Sequence, residues 1–266
     1  MITLEKVHII PLGFERSVAV KPVRVLGGTS VHIITIGGKH AEKYELSEEQ
    51  RYFIEAVVND LEKMGVEVDI HYADLFDFKQ AIKAIAEIVV EEKKSGKEVY
   101  LNLSSHGRLV SIASALVGWY HGIRMYYVLA NRYAKNEEER KLYGRSVCDK
   151  PVIIEVPQVE LVRPSEEDRF TILLIHSKKK DGKEYVKLGD IAEKFCDEFP
   201  HIYSCERDEK GAITRRGLQK LLTKLNRRVM DKLESKGYIK REKIGKNVFL
   251  KLTEAGEFLA ILEASF

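Results

Sequence analysis

The chain has 266 residues, 44% of them hydrophobic and 32% charged, with a formal net charge of only +3. That length can bury one large core or two small ones, and the composition excludes a disordered polymer. No uninterrupted apolar run approaches the ~20 residues of a membrane span, and the N-terminus lacks the basic region and apolar core of a signal peptide, so the expected compartment is the cytoplasm. Cys148, Cys196 and Cys205 are odd in number and without CxxC spacing. Neither a disulfide framework nor a zinc or other metal site is expected, and a reducing compartment fits.

The first half alternates strand-like and helix-like segments. Lys6 to Gly13 is a strand, Ser17 to Leu26 a short helix with Pro22 inside it, and Ser30 to Ile36 a second strand ended by Gly37-Gly38. Ser47 stands as the N-cap of the next helix, with Gln50 three residues on as in a capping box. Phe53, Ile54, Val57, Val58 and Leu61 recur at helical spacing, and Gly65 ends the pattern. Val66 to Tyr72 is a strand, Phe78 to Lys94 a helix, Val99 to Leu103 a strand, and Arg124 to Leu129 another. Such alternation means βαβ units and a mainly parallel sheet.

The stretch from Glu98 to Gly122 is the one that carries chemistry. Its strand breaks at Ser104-Ser105-His106-Gly107-Arg108 and continues as an apolar helix with small residues at Ser111, Ala113, Ser114 and Ala115. A helix start leaves backbone N–H groups without partners, and with the helix dipole and Arg108 these suit a phosphate. The alternative is that Ser104 or Ser105 merely caps the helix. Ligands of parallel sheets sit beyond the carboxyl ends of the strands. Three such ends are expected to converge: Gly13-Phe14-Glu15-Arg16, Gly37-Gly38, and Ser104 to Arg108, with Asn102 at the end of the fourth strand. His106 is a candidate acid or base, with no second acid-base partner identifiable and Glu15 only a candidate; the alternative is an exposed loop histidine that merely contacts ligand or solvent. Phe14 is the stacking candidate, whereas Trp119-Tyr120 and Tyr126-Tyr127 have core or interface spacing.

Asn131 to Asp149 is a polar connector with some helix. Pro151 to Pro164 is an extended segment, an edge strand rather than a central one because Pro157 interrupts it. The boundary is placed at Arg163-Pro164, giving domains 1–163 and 164–266. Beyond it, Phe170 to Ile175 lies in a short apolar helix and Leu188 to Phe199 is another. Ile202 to Gly211 is a loop, of which Ser204 to Gly211 looks inserted. Thr214 to Lys236 is one helix or two with a bend, its buried stripe made by Leu218, Leu221, Leu222, Leu225, Val229 and Leu233. Tyr238 to Arg241 and Val248 to Leu252 are strands around Gly245-Lys246-Asn247, and a helix from Thr253 to about Glu263 closes the chain.

Charge is concentrated here. Residues 210–251 hold 14 Lys and Arg against Asp231, Glu234 and Glu242, a net of +11 within a chain of +3, which leaves −8 for the remainder. Helices, a long basic helix and a basic hairpin follow the order of a winged helix-turn-helix, with double-stranded DNA as partner. Arg215, Arg216, Lys220, Lys224, Arg227 and Arg228 are the expected DNA contacts on the helix, with Lys243 and Lys246 in the wing. KLESKGYIKREKIGKNVFLKLTEAGEFLA, Lys232 to Ala260, resembles the third helix, wing and following helix of archaeal and bacterial winged-helix transcription regulators.

VHIIPLGFERS (Val7 to Ser17) followed by VYLNLSSHGRLVSIASALVG (Val99 to Gly118) resembles the CRISPR-associated Rossmann fold, or CARF, domain, and the whole chain resembles archaeal CARF–winged-helix regulators. The fold implied is a Rossmann-like α/β parallel-sheet domain followed by an α+β winged helix-turn-helix. The resemblance implies a homodimer that binds a cyclic oligoadenylate, tetra-adenylate favoured, across its two-fold axis and controls transcription in CRISPR-linked defence, without a cofactor. Matched to the motif, Gly13, Phe14, Glu15 and Arg16 occupy the first loop; Asn102, Ser104, Ser105, Gly107 and Arg108 occupy the strand-four motif. His106 departs from the small residue common in related loops. Two rival expectations stand beside this one: a ring nuclease that cleaves its cyclic ligand through His106, and a constitutive DNA-binding dimer without a nucleotide.

Overall fold

The structure, a computed structural model, describes residues 5–37, 43, 47–159, 163–203, 205–209 and 211–264. The chain divides into two compact units at Arg163.

The first unit is built on a six-stranded sheet of order β3-β2-β1-β4-β5-β8. Its strands are β1 (Lys6–Leu12), β2 (Ser30–Thr35), β3 (Glu67–Tyr72), β4 (Glu98–Asn102), β5 (Arg124–Leu129) and β8 (Val152–Val156). All neighbours pair in parallel except β5 and β8, which are antiparallel. β1 and β2 are buried at nearly every position, as continuous apolar runs in the middle of a covered parallel sheet must be. The helices are α1 (Ser17–Leu26), α2 (Ser47–Glu62), α3 (Phe78–Lys94) and α4 (Arg108–His121). α1 and α2 seal one core with Ile10, Leu12, Val31 and Ile33 of the sheet. The connector forms β6 (Arg132–Tyr133), α5 (Glu137–Tyr143) and β7 (Ser146–Val147). β8 stands at the edge, and Pro157 follows its last residue.

Strand order reverses between β1 and β4, so the crevice of a doubly wound sheet opens there. Two prolines shape it. The β1–β4 register ends at Ile9, and Pro11, with no N–H to offer β4, stands where the strands part; the Ser105 hydroxyl takes its carbonyl at 2.8 Å. Pro22 sits inside α1, so the Val18 carbonyl one turn earlier loses its helical donor, and Asn102 Nδ2 donates to it at 2.9 Å instead.

α2 runs from Ser47 to Glu62, and the capping box expected of Ser47 and Gln50 lies outside the described residues. The buried Gln50 amide donates to the Leu12 and Gly13 carbonyls at 3.3 and 3.4 Å, satisfying the end of β1. Gly38 lies outside the described residues.

The second unit contains α6 (Glu166–Lys180), β9 (Val186–Lys187), α7 (Leu188–Glu198), α8 (Arg215–Leu225), β10 (Ile239–Ile244), β11 (Asn247–Leu252) and α9 (Glu254–Ala264). α8 passes through a π-helical segment, Asn226–Met230, and ends as Asp231–Ser235, so the long basic pattern is one continuous helix with a π segment inside it. The sheet order is β10-β11-β9, all antiparallel, and the β10–β11 hairpin is the wing. Leu221, Leu225, Val229 and Leu233 are buried with Ile191, Phe195 and Leu250. Leu218 and Leu222 are only partly covered, at the edge of that core.

Two expectations fail in this unit. α6 runs 15 residues, well past the apolar Phe170 to Ile175 segment, because a Ser165–Asp168 capping box starts it upstream and a Lys178–Lys180 run suits its C-terminus. Cys196 and Cys205 are joined as a disulfide with Cα atoms 5.9 Å apart, whereas Cys148 is a buried free thiol. The turn at Phe199–Tyr203 folds the chain back onto α7, and no spacing rule in sequence reveals that juxtaposition.

Candidate ligand site and nucleic-acid interface

The strand-end loops at the switch point do meet. Gly13 N–H donates to the Ser105 carbonyl at 2.8 Å, and a Cβ built on Gly13 would stand 3.3 Å from His106 Cδ2. The loop after β4 is rigid because each of its polar side chains is spent internally. Asn102 Oδ1 accepts from Ser104 N–H at 2.7 Å, the Ser104 hydroxyl accepts from Val128 N–H, and Ser105 is fully buried on Pro11.

Neither serine therefore caps α4. Its N-cap is Gly107, in extended backbone with no side-chain hydrogen bond, and Gly107 N–H donates to His106 Nδ1 at 2.7 Å. Among the described residues the Arg108 and Leu109 amides have no partner, and both residues are exposed. The positive end of a 14-residue helix is thus open beside an exposed guanidinium.

His106 is held neutral. Its ring keeps some exposure, yet desolvation lowers its pKa to about 4. Because Nδ1 accepts the Gly107 N–H, the ring proton resides on Nε2. Its ring meets Phe76 edge-on at 6.1 Å.

The first loop is organised differently from what its sequence suggests. Glu15 binds Ser146 twice, Oε2 from the backbone N–H and Oε1 from the hydroxyl, both at 2.9 Å. Burial raises its pKa, against the downward pull of Ser146 and Arg145. Arg16 makes a two-pronged ion pair with Asp60 of α2, at 2.7 and 2.9 Å. Phe14 packs near Phe53, with the Arg145 guanidinium 5.2 Å from its ring centre. These three side chains brace the β1–α1 turn against the connector and α2. Gly13, Ser105, His106, Gly107 and Arg108 are brought together, while Glu15, Arg16 and Asn102 serve the scaffold. Gly37 lies against Tyr72: an added Cβ would fall 2.2 Å from Tyr72 Cδ1, so that exposed ring would have to shift. Tyr120 and Tyr126 are core residues, whereas Tyr127 is 43% exposed.

The second unit presents a positive face. Arg215, Arg216, Lys220, Lys224, Arg227 and Arg228 are all exposed, as are Lys243 and Lys246 at the wing tip. A groove of about 520 Å³ runs along this face of α8 and its π segment, and includes two residues that a charge pattern passes over, Gln219 and Thr223. The cations are not equivalent. Lys220 pairs with Glu206 at 2.5 Å, Lys224 Nζ donates to the Ile202 carbonyl, and Arg228 pairs with Glu167 at 3.2 Å. Arg215 and Arg227 make no ion pair among the described residues. Lys232, on the other side, binds the buried Asp168 at 2.5 Å and ties the helix to α6. Such a face can hold a polyanion by its phosphates.

No helix among the described residues is long and apolar enough to cross a membrane. A search for similar curated proteins finds no match. Among solved structures, the chain is similar to Enterococcus italicus Csm6 bound to cyclic hexa-2'-fluoro-hexa-dAMP, at 13% identity over 87% of this chain and 58% of that one, TM-score 0.45. It is also similar to Can2 from Sulfobacillus thermosulfidooxidans in complex with cyclic tetra-adenylate, at 11% identity over 98% and 65%, TM-score 0.39. A third is protein VC1899 from Vibrio cholerae, at 12% identity over 93% and 75%, TM-score 0.41. The chain thus spans less than two thirds of the length of the first two. The family model described as "HFX_2341_N:-like, N-terminal" matches residues 6–133, and that described as "WHD_DUF6293: DUF6293 C-terminal winged helix domain" matches residues 168–264. The chain therefore carries a Rossmann-like sheet domain, similar to the HFX_2341_N-like N-terminal model over residues 6–133, followed by a winged helix domain similar to the DUF6293 C-terminal one over residues 168–264.

Proposed function

We propose that this protein is a ligand-responsive DNA-binding transcription regulator whose first domain senses a cyclic oligoadenylate, tetra-adenylate before larger rings. The observation that carries the reading is the open N-terminus of α4: both candidate capping serines are committed elsewhere, and Arg108 stands at the uncapped end. The motif resemblance to CARF domains supplies the ligand class, and the winged helix with its basic face supplies the output.

A homodimer fits the same reading. Leu109 and Ile112 are exposed on α4. Tyr127 and Leu129 share the face of β5 that carries Met125, against which Gly118 of α4 packs, and they pair across the ladder with exposed Ile154 and Val152. A second copy seated on that apolar face brings two α4 N-termini toward one cyclic ligand. Ligand then changes the spacing of two winged helices, and half-sites about 34–36 Å apart make DNA affinity sensitive to that spacing.

The test measures binding of labelled cyclic tetra-adenylate to the wild type and to Arg108→Ala, with the nucleotide analysed by chromatography afterwards, and duplex DNA binding with and without it. Tight binding lost in the variant, intact nucleotide and ligand-dependent DNA affinity are the expected results. Folded wild-type protein that binds no cyclic oligoadenylate sinks the sensor reading, and cleaved nucleotide replaces it with a nuclease.

A further inference from the structure

The side of α8 turned away from the core is not uniformly basic. At about 100° per residue, the buried Gly217, Leu221 and Leu225 mark one side of the helix. Arg216, Gln219, Thr223 and Arg227 fall on the opposite side, and all four are exposed. Lys220, Lys224 and Arg228 follow one another along a flank, and each is already tied to the fold, to Glu206, the Ile202 carbonyl and Glu167. Gln219 and Thr223 thus stand one turn apart, without charge, in the groove of about 520 Å³ whose other lining residues are all cations.

Neither residue serves the scaffold. The Gln219 side-chain amide makes no hydrogen bond among the described residues. Thr223 is a β-branched residue in mid-helix, and its hydroxyl donates back to the Gln219 carbonyl at 3.0 Å, so the group it has left for a partner is its methyl. A face that needed only to attract phosphates would carry Lys or Arg at both positions, and those are better helix formers than Thr.

The chemistry of the pair matches base edges. In the major groove a carboxamide donates to N7 of adenine and accepts from its N6 amino group, and a methyl packs on the C5 methyl of thymine. Four residues of helix span about 6 Å, under two base-pair steps of ~3.4 Å, so the two side chains reach the same or neighbouring base pairs. The cations beside them position a duplex through its phosphates without carrying sequence information. We infer that α8 enters the major groove and that Gln219 and Thr223 are its base-reading residues, Gln219 on an adenine and Thr223 on a thymine methyl. This rests on the DNA-binding reading of the basic face and assigns the part of it that selects sequence. The partner selected is duplex DNA with A·T pairs at this place in each half-site.

The experiment selects duplexes from a pool with randomised bases, using the full chain with and without cyclic tetra-adenylate. Wild type, Gln219→Ala, Gln219→Glu, Thr223→Ala and Arg227→Ala are then compared by fluorescence anisotropy on the selected duplex and an unrelated one, after circular dichroism confirms folding. Alanine suits a helix at both exposed positions. One bidentate base contact gives about a 5- to 150-fold preference, so the affinities of Gln219→Ala for the two duplexes are expected to draw together by that factor, at the wild-type salt slope because no cation is removed. Thr223→Ala loses a smaller preference at the same or the next base pair, and Gln219→Glu moves the preferred base from adenine to cytosine, whose amino group a carboxylate accepts. Arg227→Ala instead weakens both duplexes alike and flattens the slope. The same selected sequence in wild type, Gln219→Ala and Thr223→Ala overturns the inference, as does an equal loss on both duplexes in Gln219→Ala, which makes that residue a backbone contact. A wild type that binds every duplex equally overturns it while leaving DNA binding intact. A wild type that binds no duplex overturns the DNA-binding reading itself.

Discussion

Asn102 and Pro22 offer a sharp test of whether a residue in a ligand motif touches ligand or holds the scaffold. Asn102→Ala removes the 2.9 Å bond to the Val18 carbonyl, which Pro22 cannot replace, and the 2.7 Å bond from Ser104 N–H. The Val18 carbonyl is then left buried without a donor, costing about 1–3 kcal/mol; the half-buried Ser104 N–H can recruit water and adds about 1 kcal/mol. The expected loss is therefore about 3 kcal/mol. Pro22→Ala restores an N–H one turn after Val18, so in the double variant about 1 kcal/mol returns. The assay is native-state amide exchange of the first domain's β1, β4 and α1 in all four proteins of the cycle, which needs no two-state unfolding of a two-domain chain. Coupling below about 0.3 kcal/mol would refute the repair of the helix by Asn102. An Asn102→Ala protein of unchanged stability but lost nucleotide affinity would return the residue to the ligand.

Three other expectations follow from the geometry. In DNA binding, each phosphate contact contributes about 0.9 to the slope of log K against log salt, so Arg227→Ala lowers it by about that much per winged helix; Glu206→Gln frees Lys220 and tightens binding, and Lys83→Ala in the first domain is the control. Fluorescence anisotropy from 50 to 200 mM salt measures this, and an unchanged slope in Arg227→Ala excludes that face. Buried His8 bonds Tyr126 and the Gly27 carbonyl, and burial lowers its pKa from 6.5 to about 4. The unfolded chain thus binds more protons between those values, and stability is lost as pH falls through that window, by about 3 kcal/mol at its foot; urea midpoints of wild type and His8→Gln should converge in the same interval, and a constant difference contradicts it. Finally, the Cys196–Cys205 link closes a loop of sequence separation 9, worth about 2.5 kcal/mol by chain entropy, so the double Cys→Ala variant should lower the second domain's urea midpoint accordingly.

The parts of the molecule legible in the sequence are those governed by local periodicity. α3 and β5 have the predicted bounds because strong apolar repeats are closed by clear stops, and the wing follows from β-rich runs around Gly245. The basic face of α8 was equally readable, since charge opposite a leucine stripe needs no tertiary information. The site was legible only in outline. Glu15, Arg16 and Asn102 have the residue types of ligand contacts, yet their partners are Ser146, Asp60 and Val18, residues 131, 44 and 84 positions away. Gln50 likewise bonds the end of β1, 37 positions away at Gly13.

The sequence by itself determined the two domains' elements and the charge they carry, because helix and strand periodicity and net charge are sums over neighbours along the chain. Only the tertiary structure decided which polar groups remain open, because that depends on long-range partners taking some donors and acceptors and leaving others. Ser104 and Ser105 were both able to cap α4. The fold gave them to Val128 and Pro11, and the helix end stayed open.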